Sequence, residues 1–472
     1  MNKTYKYTLF SFIGVTMALV ANVRSIPTIA ATGWTQISYL LFATIMFALP
    51  ICLIAGELGS TFPGNGGPQL WVTESLGKKW GFVIAWVLWS QMFPGLIMIT
   101  STLGPLIGQV FGKPELSQNH WFAFFWIIVA TWAATLLSFK YDVAKIGGSY
   151  GVWIGVYIPA ITMIILGFFA FLKTGLNPQS YLGTFAWQKV IPNAHNLKVL
   201  TYFSAIMFLF TGIELTSVYI PSLKDSKKNY PRGIFISLMF IVILNVINSL
   251  FASNAIEKGT IQLANVAQPI IRYCEILGLP TWIANIFSLC VVIGVVLQMS
   301  SWINGPCHTI TQAAREGNVP AKWGFHKTNQ NDISKNLLWT QITILTIFAL
   351  LYAFVKNVNA MFITLTNATS VLYMLVYLFL VIAVLKLRYT QPHLERPGRV
   401  GKTGNSLLWL VGSVLIISIL FVFASIIVSS SPLSLMLVIG IAVILFVVPL
   451  LINHYKNPQW LKDVQQYQAK NS

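Results

Sequence analysis

Asn22-Val23-Arg24-Ser25-Ile26-Pro27 and Phe210-Thr211-Gly212-Ile213-Glu214 each interrupt a long apolar run, and together they decide the fold. Pro27 removes a backbone donor and clashes with the turn before it, while Arg24 is costly in lipid. Gly212 weakens a helix beside the ionisable Glu214, and Pro221 follows near the end of the same run. Taken alone, Gly212 reads more readily as a close helix contact. Paired with the first interruption it reads as a broken helix whose freed backbone groups face a ligand near the membrane midplane. A mid-span Glu costs about 2.5 to 3.5 kcal/mol on insertion scales, so Glu214 needs a proton, a partner or a wet cavity. Arg24 is its partner, the anchor of a ligand carboxylate, or a gate residue, and the sequence leaves these three open.

Working outward, apolar runs recur along all 472 residues, of which 56% are hydrophobic and 9% charged, at a mean hydropathy of +0.71. A bilayer core about 30 Å thick needs roughly 20 apolar residues per helical span. Twelve spans result: 8 to 31, 35 to 57, 80 to 110, 121 to 139, 146 to 172, 199 to 221, 233 to 253, 281 to 312, 336 to 355, 360 to 385, 407 to 429 and 433 to 453. The two interruptions lie five spans apart, the spacing of a five-helix inverted repeat with two helices left over. The chain is therefore expected to be an all-α integral membrane protein, with repeats over 1–172 and 173–386 and an addition over 387–472.

The formal charge of +18 does not mark a nucleic-acid partner, because the cations alternate between successive loops. With the N-terminus cytoplasmic, 22 Lys and Arg fall inside and 7 outside, with Arg24 within a span. Both termini are then cytoplasmic in a multi-pass plasma (inner) membrane protein. Lys3 and Lys6 precede a first helix that reads as retained, without a cleavage site. Cys52, Cys274, Cys290 and Cys307 lack CxxC spacing and read as apolar packing. His120, His195, His308, His326, His393 and His454 form no HxxxH or HExxH pattern, so neither a metal nor a membrane enzyme is expected. No span carries a channel filter. A transporter remains, with no cofactor expected and an amino-acid sensor as the minor alternative.

Several stretches in register resemble the amino acid–polyamine–organocation superfamily, particularly its glutamate:GABA antiporter branch. They are Val23 to Gly33; Gly56-Glu57-Leu58-Gly59-Ser60 through Phe62-Pro63, Gly66-Gly67 and Trp71 to Trp80-Gly81-Phe82; Trp86 to Gln91; Phe210 to Glu214; Tyr230-Pro231-Arg232; and Trp302 to Pro306 followed by Ala313 to Pro320. The resemblance implies a LeuT-type fold of five plus five inverted helices and exchange of an amino acid for a related amino acid or amine by alternating access. A proton-coupled importer is the alternative, with Glu214 as its coupling or gating residue. It implies substrate contacts at Ala21, Asn22, Val23, Arg24, Gln91, Phe208, Thr211, Gly212, Ile213 and Trp302, and it allows a homodimer. The sequence departs from the pattern in three places. The helix-one break has no Gly, Gln69 stands where Tyr is usual, and span five has no Lys after Lys145, where some proton-coupled relatives use one. The tail from His454 is too short for the long C-terminal plug of the acid-resistance antiporter.

Overall fold

A computed structural model describes residues 7–64, 67–139, 153–192, 197–329, 333–354 and 357–471. Lys145, Gly66 and residues 146–152 of the fifth expected span lie outside them. Among the described residues the structure is helical, and eleven helices are long and apolar enough to cross a membrane. They are Thr35–Thr61, Lys78–Val110, His120–Ser138, Trp153–Thr174, Leu200–Ser222, Ser226–Ala255, Trp282–Arg315, Lys335–Phe354, Val358–Thr390, Ser406–Ser429 and Pro432–His454. The first expected span does not join them as one helix. It is divided into Leu9–Val20 and Ile26–Ala30, each too short to cross alone.

Helix starts follow the caps that the sequence supplies. Thr8 and Ser11 form a capping box before Leu9, Asn119 accepts from Trp121 N and Phe122 N, and Asn357 accepts from Ala360 N. The Trp282–Arg315 helix has 34 residues, about 50 Å of rise, and so extends beyond a bilayer core. It crosses Trp153–Thr174 where a Cβ on Gly155 would lie 2.2 Å from Gly294 Cα, so only paired glycines allow that approach. Ile286, Leu289 and Ile293 of the same helix are exposed, as a lipid-facing stripe requires.

Two ends of the bundle are tied differently. At the end holding Tyr7, its N–H donates to Ser222 O (3.1 Å) and its carbonyl accepts from Lys224 N (2.9 Å). At the same end, Glu57 accepts from Arg388 Nε and Nη2, both at 2.6 Å, and from Val400 N at 2.8 Å. Residues 391–405 thereby form a strap across the end of Thr35–Thr61. The Glu57–Arg388 pair is fully buried, and each partner keeps further hydrogen bonds, the condition for such a pair to persist. At the other end, Ser180 pairs with Glu257 and Leu263 N donates to Asn359 Oδ1. The C-terminal helix Pro458–Asn471 lies against residues 317–327, with Leu461 on Gly317 and Tyr467 edge-on to His326.

Candidate functional site

The chain leaves Leu9–Val20 at Ala21, whose backbone is extended at φ −70° and ψ 134°. Asn22 replaces the helical bonds lost there. Its Oδ1 accepts from Ser25 N and Ser25 Oγ, both at 3.2 Å, and its Nδ2 donates to Val20 O at 3.4 Å. A short polar side chain competing with helix backbone is enough to unwind a turn. Pro27 then occupies the first turn of Ile26–Ala30, where a missing N–H costs nothing. A break without glycine is thus made by asparagine and proline.

The second break needs glycine. After Phe203–Phe208 the chain turns through Gly212 at φ +91° into the 3-10 segment Ile213–Ser222. Gly212 N–H donates to Tyr377 Oη at 3.0 Å, and the Tyr377 hydroxyl donates to Glu214 Oε2 at 2.9 Å. Val358–Thr390 therefore holds the break through one tyrosine. Glu214 is fully buried, and its Oε1 has no hydrogen-bond partner among the described residues.

A cavity of about 90 Å³ lies between the breaks. Asn22, Arg24, Gln91, Phe208, Thr211 and Trp302 line it, so six of the residues singled out by sequence converge there. Ala21, Val23, Gly212, Ile213 and Glu214 are buried behind its wall. The wall also includes Ser25, Thr28, Thr366 and Tyr373, which the sequence reading missed. Thr28 had a usable signal: once the helix restarts at Ile26, it falls four residues after Arg24, close to the same face. Tyr373 had none, since only the fold brings its Oη to 3.3 Å from Gln91 Nε2.

Arg24 is not paired with Glu214. Its Nη1 donates to Gln298 Oε1 at 2.8 Å, from the helix that also carries Trp302. A guanidinium has five donors, and this bond takes one. Thr28 Oγ1 is buried and has no partner among the described residues. The wall therefore carries one fixed cation, one unsatisfied hydroxyl and, among the described residues, no Asp or Glu. At about 10 to 15 Å³ per water-sized group, the space holds roughly six to nine such groups, the size class of a small amino acid or amine. The cavity lies on the side of the breaks away from Tyr7, since Met98, Ile99 and Thr102 come late in Lys78–Val110 and Phe362 early in Val358–Thr390.

The amino acid permease family model matches residues 7–449. The chain belongs to the amino acid permease family. This permease is a multi-pass membrane protein, and its relatives identify it as a transporter of amino acids or amines. It is 26% identical over 424 residues to an uncharacterized transporter of Legionella pneumophila, covering 88% of each chain. It is 28% identical over 421 residues to a glutamate/gamma-aminobutyrate antiporter of Lactococcus lactis, covering 84% of this permease and 80% of that protein. It is also 26% identical over 431 residues to a probable agmatine/putrescine antiporter of Lactococcus lactis, covering 90% of this permease and 89% of the relative.

Proposed function

We propose that this permease exchanges an acidic or neutral amino acid for a related amino acid or its decarboxylated amine, by alternating access. The proposal includes twelve spans, counting the divided Leu9–Ala30 segment, arranged as inverted repeats over 1–172 and 173–386 with 387–472 added. It also places the protein in the plasma (inner) membrane with both termini cytoplasmic, which makes the cavity outward-facing and the Glu57–Arg388 end the closed one.

The observation that carries the reading is the charge of the cavity wall: Arg24 without an opposing carboxylate. A guanidinium fork suits a carboxylate, in one or two parallel bonds, and a wall with no acid offers nothing to a second ammonium group. The named relatives differ on this point, one exchanging glutamate for gamma-aminobutyrate and the other probably agmatine for putrescine. The wall favours the first chemistry. In this reading the unpartnered Thr28 Oγ1 completes the carboxylate site, and Trp302 and Phe208 supply flat apolar walls for the side-chain carbons.

A proton-coupled importer is the second reading. It is favoured by Glu214, buried with one oxygen unpartnered and linked through Tyr377 to the Gly212 break. Counterflow in proteoliposomes separates the two. Labelled glutamate entering only vesicles loaded with glutamate or gamma-aminobutyrate supports exchange. Equal entry into empty vesicles under an inward proton gradient supports the importer instead.

A further inference from the structure

We propose that the lipid-facing seam between Val358–Thr390 and Ser406–Ser429, at the Glu57–Arg388 end, binds the phosphodiester headgroup of an anionic phospholipid. Ile382, Lys386 and Tyr389 are spaced i, i+4 and i+7 on the first of these helices, and all three are exposed on one face. The two helices touch just above them, where a Cβ on Gly412 would lie 3.1 Å from Val381 Cγ1. On the second helix Leu410 is exposed, and Trp409 Nε1 donates to Tyr389 Oη at 2.9 Å. Tyr389 and Trp409 are 60% and 49% exposed, so the pair stands open to the surroundings rather than filling a core. An exposed indole and phenol at the ends of membrane helices mark the headgroup level.

Charge selects the occupant. Lys386 has no side-chain partner among the described residues and sits within one turn of the Tyr389–Trp409 pair. Arg399, also exposed, donates from Nη2 to Gly404 O at 3.0 Å, which fixes a second cation beside the start of the Trp409 helix. The nearby acids are already engaged: Glu395 takes Lys227 at 2.7 Å, and Glu57 is buried with Arg388. The seam is therefore left with uncompensated positive charge. A zwitterionic lipid brings its own cation to such a site, whereas an anionic lipid does not. A free phosphoester matches the cations but leaves Ile382 and Leu410 bare, while a lipid covers them with its acyl chains. The site is independent of which substrate the cavity carries.

The test is native mass spectrometry of the full-length protein in detergent, titrated with phosphatidylglycerol, phosphatidylcholine or soluble glycerol 3-phosphate. Each cation near a membrane surface changes anionic-lipid binding about fivefold, so K386Q/R399Q should bind phosphatidylglycerol about 25-fold more weakly. Phosphatidylcholine binding should be weaker in the wild type and unchanged by the substitutions. Should the double variant not remain monodisperse, K386Q alone should show a fivefold loss. Equal phosphatidylglycerol binding by wild type and variant overturns the proposal. So does phosphatidylcholine binding equal to phosphatidylglycerol, which reduces the seam to an apolar face, or displacement of the lipid by glycerol 3-phosphate at similar concentration, which makes it a free-phosphoester site.

Discussion

Replacing Arg24 with glutamine removes the cation that the described residues give the cavity wall, while keeping a polar side chain near Gln298. Arg24 spends one of its donors on Gln298, so the remainder of its fork is available to a substrate carboxylate. A hydrogen bond to a charged group contributes about 1.5 to 3 kcal/mol, which at 1.4 kcal/mol per tenfold is a rise of roughly 10- to 150-fold in half-saturation for glutamate. Arg24→Lys keeps the charge but loses the planar fork, and should fall between wild type and Arg24→Gln. The cost applies only to substrates whose carboxylate meets this side chain. Agmatine and putrescine, which have no carboxylate, should be unaffected or improved. The assay is counterflow at graded external concentrations of labelled glutamate and agmatine, with protein monodispersity and unfolding midpoint measured for each variant. A uniform loss for both substrates, or an unchanged glutamate half-saturation in a folded Arg24→Gln protein, refutes the assignment.

Other substitutions test the surrounding framework. Arg388→Met leaves Glu57 buried with Val400 N–H and a guanidinium 3.5 Å away, and should cost about 3 to 5 kcal/mol. For a chain of this length that is a fall in unfolding midpoint on the order of 5 °C, and Glu57→Gln/Arg388→Met should lose less than the two single changes summed. Gly212→Ala forces a side chain to φ +91° at a cost of about 1 to 2 kcal/mol, and should lower exchange in protein that still inserts and purifies normally. His326, in the connection that follows Trp282–Arg315 and outside the membrane spans, is held below its usual range by burial and by the charges of Lys327 and Arg315. Its neutral form therefore favours docking of Pro458–Asn471 through Tyr467. That contribution is complete above the free histidine value of about 6.5 and is lost as pH falls through the lowered one. Hydrogen exchange in 458–471 should rise on acidification, and His326→Gln should flatten the response.

Hydropathy made eleven of the twelve expected spans legible, because lipid demands long apolar helices with satisfied backbones whatever their neighbours. The second break was legible as well, from Gly212, and the first in part, as an interruption at Pro27 with Asn22. What sequence did not disclose is who holds them. Tyr377 is 165 residues from Gly212 and Gln298 is 274 from Arg24, and no local pattern encodes such pairings. The missing glycine in the first break obscured the unwinding there, since the Asn22 bonds to Ser25 that replace it look, in sequence, like an ordinary polar pair. Glu214 and Arg24 look complementary on paper, yet the fold separates them by giving each a neutral partner on a different helix.

The most direct test of the central claim is whether substrate occupies the cavity between the breaks. Ile99 lines that cavity and is partly exposed, so Ile99→Cys offers a reporter thiol, while three of the four native cysteines are buried. Labelling of Ile99→Cys by a small charged methanethiosulfonate should slow severalfold in saturating glutamate, with the wild-type background unchanged. Labelling that is indifferent to glutamate in vesicles that still exchange it would place the substrate elsewhere and contradict the account.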